Sequence, residues 1–408
     1  MNCRHCRNAL SLEFVDLGTA PPSNAYLTAE RLAGPETYLP LKVLVCEHCW
    51  LVQTADFASR ESLFDEDYGY FSSMSATWTA HADAYVAAMV DRFDLGPHSH
   101  VVEVAANDGY LLQYVAMRGI PCLGIEPTAS TAAAARAKGI AIIEEFFGRA
   151  LAERLVAEHG HAHLTAANNV LAHVPDINDF VGGFTVLLAE QGVATFEFPS
   201  LLRLIEDRQF DTIYHEHFSY LSLTVVEHIF KANGLTVFDV ESLSTHGGSL
   251  RVYAERSDVA SRPTSARLRV MRESEAAAGV TDRALYAGFQ AEAEAVKNDV
   301  LRFLLDAKRS GRTVAAYGAA AKGNTLLNFA GVRQDLLPFV VDRSPGKQGK
   351  FLPGSRIPIV AADQIAAARP DYVLILPWNL HEEITCQLDY IREWGGRFVV
   401  AVPRLEVF

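Results

Sequence analysis

The sequence predicts an α/β protein in three parts: a small cysteine-rich module, then two doubly wound units of parallel sheet and helix. Three observations predict it. Four of the six cysteines form two CxxC pairs near the N-terminus. From about residue 75, short apolar runs of strand length alternate with stretches of helical periodicity. The same alternation restarts at Arg312, beyond a helix-rich connector over 260–310. A length of 408 residues suits two or three domains, and the pattern sets them at 1–70, 71–255 and 256–408.

In the first part, Cys3/Cys6 and Cys46/Cys49 each sit where a tight turn aims both sulfurs at one ion. Four thiolates satisfy tetrahedral Zn²⁺ and leave no open position, so the expected site is structural zinc. No βαβ unit surrounds either pair, which argues against a redox role. Leu41–Val45 reads as a strand leading into the second pair. Cys122 and Cys386 stand alone and read as apolar fillers.

In the second part, Trp78–Phe93 has helical periodicity, Val101–Ala105 reads as a buried strand, and Asn107, Asp108 and Gly109 form the turn into a helix over Tyr110–Arg118. Leu123–Glu126 is the next strand. In such sheets ligands bind beyond the carboxyl ends of the strands. A methyltransferase of this architecture needs a tight first turn, an acid on the first strand and a carboxylate ending the second. Glu103, Gly109 and Glu126 stand at those places, although Ala-Ala-Asn-Asp-Gly replaces the usual GxGxG turn. Glu145 and Phe146 follow a third strand and are offered to an adenine, while Asn168 and Asn169 end a fourth and line the crevice. The predicted cofactor is S-adenosylmethionine; the missing GxGxxG tells against NAD.

Residues 210–217, Phe-Asp-Thr-Ile-Tyr-His-Glu-His, concentrate proton-transfer groups in Tyr214, His215, Glu216 and His217. A site that removes a proton needs such groups. His217 is the expected base, because an imidazole titrates near working pH. Glu216 would orient an imidazole or hold substrate, and Tyr214 would donate to a developing oxyanion or act as base itself. In an extended strand Tyr214 and His217 fall on opposite faces, so only a turn brings them together.

The paired CxxC, the Asn-Asp-Gly turn, Ala167–Asp176, Asp211–Tyr220, Thr245–Tyr253 and Tyr317–Thr325 together resemble the sugar C-3′-methyltransferase family, over essentially the whole chain. The resemblance implies a zinc module, a class I methyltransferase domain and a C-terminal Rossmann-like domain that helps bind the nucleotide of a sugar. It implies a dTDP-linked 4-keto-6-deoxysugar as substrate, of the kind used in antibiotic biosynthesis, methylated at C-3 through an enolate. It also implies that Tyr68 and Ser72 close over the cofactor and that His173 lines the sugar pocket.

In the third part, Arg312–Tyr317, Phe339–Asp342 and Asp371–Leu376 read as strands, with Gly318–Gly323 a turn into a helix beginning near Asn324. Lys322 precedes Gly323 rather than following a glycine as in a Walker A loop, so ATP hydrolysis is not expected. A helix N-terminus with Lys322 and Asn324 can hold a diphosphate. His246 and Gly247 sit in a turn that reads as a substrate loop.

A net charge of −13 argues against general nucleic-acid binding. No run of eighteen apolar residues and no apolar leader stands out, so the expected protein is cytoplasmic, and a chain supplying all its own domains is expected to be a monomer. Two rival readings are an NAD-dependent oxidoreductase or epimerase acting on a nucleotide sugar, and a non-catalytic zinc-ribbon binding protein.

Overall fold

The computed structural model describes residues 1–55, 57 and 71–408. Among these residues the strands form three sheets. The N-terminal sheet is antiparallel and joins Leu12–Ala20, Leu39–Val45 and Val52–Thr54. Its fourth strand, Ser219–Tyr220, comes from just beyond the Tyr-His-Glu-His segment. The polar cluster is thereby pinned between the zinc module and the central sheet.

The central sheet has seven strands. Across it they run Ile142–Ile143, Cys122–Ile125, Val101–Val104, Ala162–Asn168, Leu188–Pro199, Ser249–Arg256 and Leu235–Leu243. The first five are parallel, and Ser249–Arg256 pairs antiparallel with both of its neighbours. Numbered along the chain the order is 3-2-1-4-5-7-6. The strand order reverses between Val101–Val104 and Ala162–Asn168, and the crevice at that point is where a doubly wound sheet binds its ligand. Helix Ala76–Phe93, capped by the Ser75 hydroxyl, packs Trp78, Ala82, Tyr85, Val86 and Met89 onto the core at helical spacing.

The C-terminal sheet has six strands, with Val314–Tyr317 between Val340–Val341 and Tyr372–Ile375 and parallel to both. The connector resolves into helices Ala266–Ala278, Arg283–Tyr286 and Phe289–Arg309. The helix after Val314–Tyr317 spans Ala321–Phe329, so it starts three residues earlier than expected at Asn324 and takes Lys322 into its first turn. Ala320 is the extended residue before the helix and its N–H bonds the Gly318 carbonyl, so the turn closes at Ala320 and does not run on to Gly323.

Candidate active site

The cysteine cluster is built as expected. The four sulfurs of Cys3, Cys6, Cys46 and Cys49 lie within 4.8 Å of one another. Arg7 and Trp50, the residues after each pair, share a φ of 64°, so the two knuckles turn alike. Asn8 and Gln53 amides point at Cys6 and Cys3 sulfurs at 3.3 Å each. A donor set of four sulfurs with N–H groups aimed at them fits thiolates holding Zn²⁺.

The first turn of the central sheet departs from the glycine pattern in residues but keeps its shape. Ala105, Asn107 and Gly109 have φ of 62°, 48° and 73°, the left-handed region at alternate positions. Non-glycine residues hold two of those positions at about 1–2 kcal/mol each. The Glu126 carboxylate compensates by accepting the Asn107 N–H at 2.9 Å and the Thr128 N–H at 3.0 Å. Asn107 Oδ1 accepts the Ser72 N–H at 2.9 Å, and Asp108 accepts the Ser73 N–H and hydroxyl. Residues 72–73 thus close over the turn. Tyr68 lies outside the described residues.

Glu103 is fully buried and neither carboxylate oxygen has a well-formed hydrogen bond. Burial holds its carboxyl well above the ordinary range, offset by the neighbouring Tyr110 hydroxyl. Asn168 Oδ1 and Asn169 Oδ1 are likewise buried without a hydrogen bond. Orphaned acceptors beside a left-handed turn fit a ligand that brings an ammonium group and ribose hydroxyls. Glu145 and Phe146 are exposed, and Glu145 is paired with Arg154.

The Tyr-His-Glu-His segment is not extended. The His217 N–H bonds the Tyr214 carbonyl at 2.9 Å, and this turn brings the two rings to a centroid distance of 4.0 Å. His173 meets the His217 ring edge-on at 4.6 Å. His217 Nδ1 is 2.8 Å from the Thr212 carbonyl, which makes it the protonated nitrogen and leaves Nε2 as the acceptor. Burial and then His173 push the His217 pKa well below the ordinary value; burial pushes His173 and His246 down to about 4. These imidazoles are neutral at neutral pH. Glu216 points elsewhere, both its oxygens accepting from the Asn24 amide at 2.8 Å. His215 faces the Leu39 and Pro40 carbonyls.

The His246 turn reaches the same space. His246 meets Trp78 edge-on at 5.0 Å, and Trp78 stacks on Tyr110 and His81. Asn324 is diverted, its amide donating to the Ser23 carbonyl at 2.6 Å. The sequence reading missed Glu197, His81 and Arg251. Buried Glu197 accepts from Thr245 at 3.0 Å and Arg251 at 2.9 Å, and His81 Nε2 lies at 3.0 Å. Charged residues inside a sheet are a faint signal for such a network, but their meeting across 54 positions leaves no spacing to read.

Three family models match the chain: "Methyltransferase domain" over residues 78–240, "C-methyltransferase C-terminal domain" over 244–403 and "Putative zinc binding domain" over 3–64. With this sheet order and site, they define an S-adenosylmethionine-dependent methyltransferase carrying a cysteine module fit for structural zinc. C-methyltransferase NovU of Streptomyces niveus is 36% identical over 407 residues, 99% of this chain and 96% of that protein. The chain belongs to the sugar C-methyltransferase family. It is an S-adenosylmethionine-dependent C-methyltransferase, and the oxidoreductase and non-catalytic readings give way to that.

Among solved structures, magnesium protoporphyrin IX methyltransferase of Synechocystis with bound SAM is 16% identical, covering 44% of this chain and 79% of that one at a TM-score of 0.34. A SAM-dependent methyltransferase of Anabaena variabilis is 14% identical, covering 44% and 86% at 0.35. Among the described residues no helix is long and apolar enough to cross a membrane.

Proposed function

We propose that the protein methylates C-3 of a dTDP-linked 4-keto-6-deoxysugar after removing the C-3 proton. The supporting observation is His217, a neutral buried imidazole with Nδ1 committed to the Thr212 carbonyl and Nε2 left as acceptor. Carbon must become a nucleophile before it can take a methyl group, and a C-4 ketone makes the neighbouring proton removable. In this reading Nε2 of His217 takes the proton and the C–H electron pair delocalises onto the C-4 oxygen. Tyr214, its ring tilted against the imidazole, donates to that oxygen or shares the proton. S-adenosylmethionine, when bound, supplies the methyl group that C-3 takes as the S–CH₃ electron pair passes to sulfur. Glu103, Asn107, Asp108, Gly109, Glu126, Asn168 and Asn169 would hold it, with Ser72 closing over them, and Glu145 and Phe146 would meet the adenine from the rim. His173, His246 and Gly247 would line the sugar pocket, with Lys322 reaching in from the C-terminal domain.

The test is exchange of the C-3 proton in deuterated water with S-adenosylhomocysteine in the cofactor site. The wild type should exchange it, and His217→Asn should slow exchange by about 100-fold or more with cofactor affinity retained. Undiminished exchange in that variant would remove His217 as the base.

A further inference from the structure

Resting on that reading, we infer that Lys322, supplied by the C-terminal domain, is the cation that stabilises negative charge on the substrate's carbonyl oxygen beside His217. Lys322 Nζ donates to Asn379 Oδ1 at 2.6 Å and stands 4.5 Å above the Trp378 ring. The Trp378 indole N–H in turn bonds Asp211 Oδ2 at 2.8 Å. Asp211 shares a helical turn with Thr212, whose carbonyl fixes the His217 ring. The ammonium is therefore tied to the base through one indole and one turn.

The other side of Trp378 abuts the His246 loop so closely that a Cβ on Gly247 would lie 2.4 Å from its Cη2. Lys322 thus stands where the two imidazole-bearing loops converge, and its charge depresses both His217 and His246. Among the described residues it forms no direct ion pair; the nearest opposing charge is Asp211, whose Oδ2 is already taken by the Trp378 indole, so the ammonium keeps donor capacity for a ligand.

A diphosphate is the competing use. The strand-to-helix turn preceding Lys322 already holds an anion, because Ala319 N–H donates to Asp342 Oδ2 at 2.8 Å. Gly318 N–H bonds the Val341 carbonyl and Ala320 N–H the Gly318 carbonyl, both at 2.8 Å. Phosphate approaching that turn would meet a carboxylate with no indole between them, whereas an oxyanion forming beside His217 would meet the ammonium, with Asp211 bound to the far indole N–H. A preorganised donor of this kind in a site sheltered from water acts on the transition state more than on ground-state binding.

The experiment compares wild type, Lys322→Met and Lys322→Arg in C-3 proton exchange at saturating sugar, with dTDP affinity measured by calorimetry. Lys322→Gln replaces the Met variant if thermal unfolding shows that one misfolded. The expected result is exchange slowed by about 100-fold in Lys322→Met and partly restored in Lys322→Arg, with dTDP affinity unchanged. Exchange at the wild-type rate, with dTDP affinity down by about tenfold, would make Lys322 a phosphate ligand and overturn the inference. A wild type that exchanges no proton would overturn the enolate reading itself, before any variant is compared.

Discussion

Two strand-to-helix turns in this molecule have the same construction and different surroundings. After Val101–Val104 the chain turns through left-handed residues, and Glu126, beyond the next strand, accepts the Asn107 N–H at 2.9 Å. After Val314–Tyr317 it turns at Gly318, φ 90°, and Asp342, beyond the next strand, accepts the Ala319 N–H at 2.8 Å. The first turn keeps buried acceptors without hydrogen bonds, at Glu103 and Asn168, beside it. The second is covered: Tyr26 of the N-terminal module donates to the Ala319 carbonyl at 2.6 Å, and Lys347 does so at 2.8 Å. One framework thus leaves unpartnered acceptors in one place and is packed over by another part of the chain in the other. The side chains around each turn decide which.

Removing the two carboxylates one at a time tests whether the turns differ. Glu126→Ala should weaken S-adenosylhomocysteine binding by about 100-fold, since it frees two buried amides and a ligand contact. Asp342→Ala should leave that affinity unchanged. Calorimetry reads both, and an equal loss in the two variants would mean that the turns are not functionally distinct.

Glu216 probes the packed-over side through pH. Burial pushes its pKa up to about 7 from an ordinary 4.5, with the Asn24 amide and then Lys347 pulling it down. A raised acid binds its proton more tightly when folded, so its contribution to stability is present below the unfolded value. It is lost as pH rises through the folded one. Between about pH 5 and about pH 8 the wild type should therefore lose up to about 3 kcal/mol that Glu216→Gln does not. The lowered histidines act in the opposite direction and cancel between the two proteins. Urea unfolding at both pH values measures the difference, and matching losses would mean that Glu216 is not held protonated.

The smallest effect belongs to Ala105. Its φ of 62° suits glycine, so Ala105→Gly should relieve about 1–2 kcal/mol of strain. About 0.4–1 kcal/mol is given back through the unfolded chain. A net gain of about 0–1.6 kcal/mol in thermal unfolding, with unchanged turnover, is the expected outcome. A loss of stability would show that the Ala105 methyl packs where strain was inferred.

Much of this was readable from residue order. Two CxxC pairs define a four-sulfur site at any loop length that lets them meet, and the loop is long enough. The apolar runs at Val101, Cys122 and Val314 become buried parallel strands because only such strands tolerate apolar side chains on both faces. The acids at Glu103 and Glu126 were legible by their place relative to those runs. The left-handed turn was legible only in part, because Ala105 and Asn107 conceal a conformation that glycine would have announced.

Residue type and order set the class of each part: a four-cysteine module, a sheet with an acid-flanked first turn, and a segment crowded with proton-transfer groups. Those are local properties, set by residue type and period. Tertiary structure alone decided which groups share a site. The Tyr214–His217 turn exists because Thr212 holds one end, while Ser219–Tyr220 pairs with Val52 and Gln53 at the other. Glu216 turns to Asn24, and Lys322 turns to Trp378 and Asn379, through contacts spanning 192 and 57 positions. Such pairings are fixed by the packing of whole domains, and no spacing along the chain encodes them.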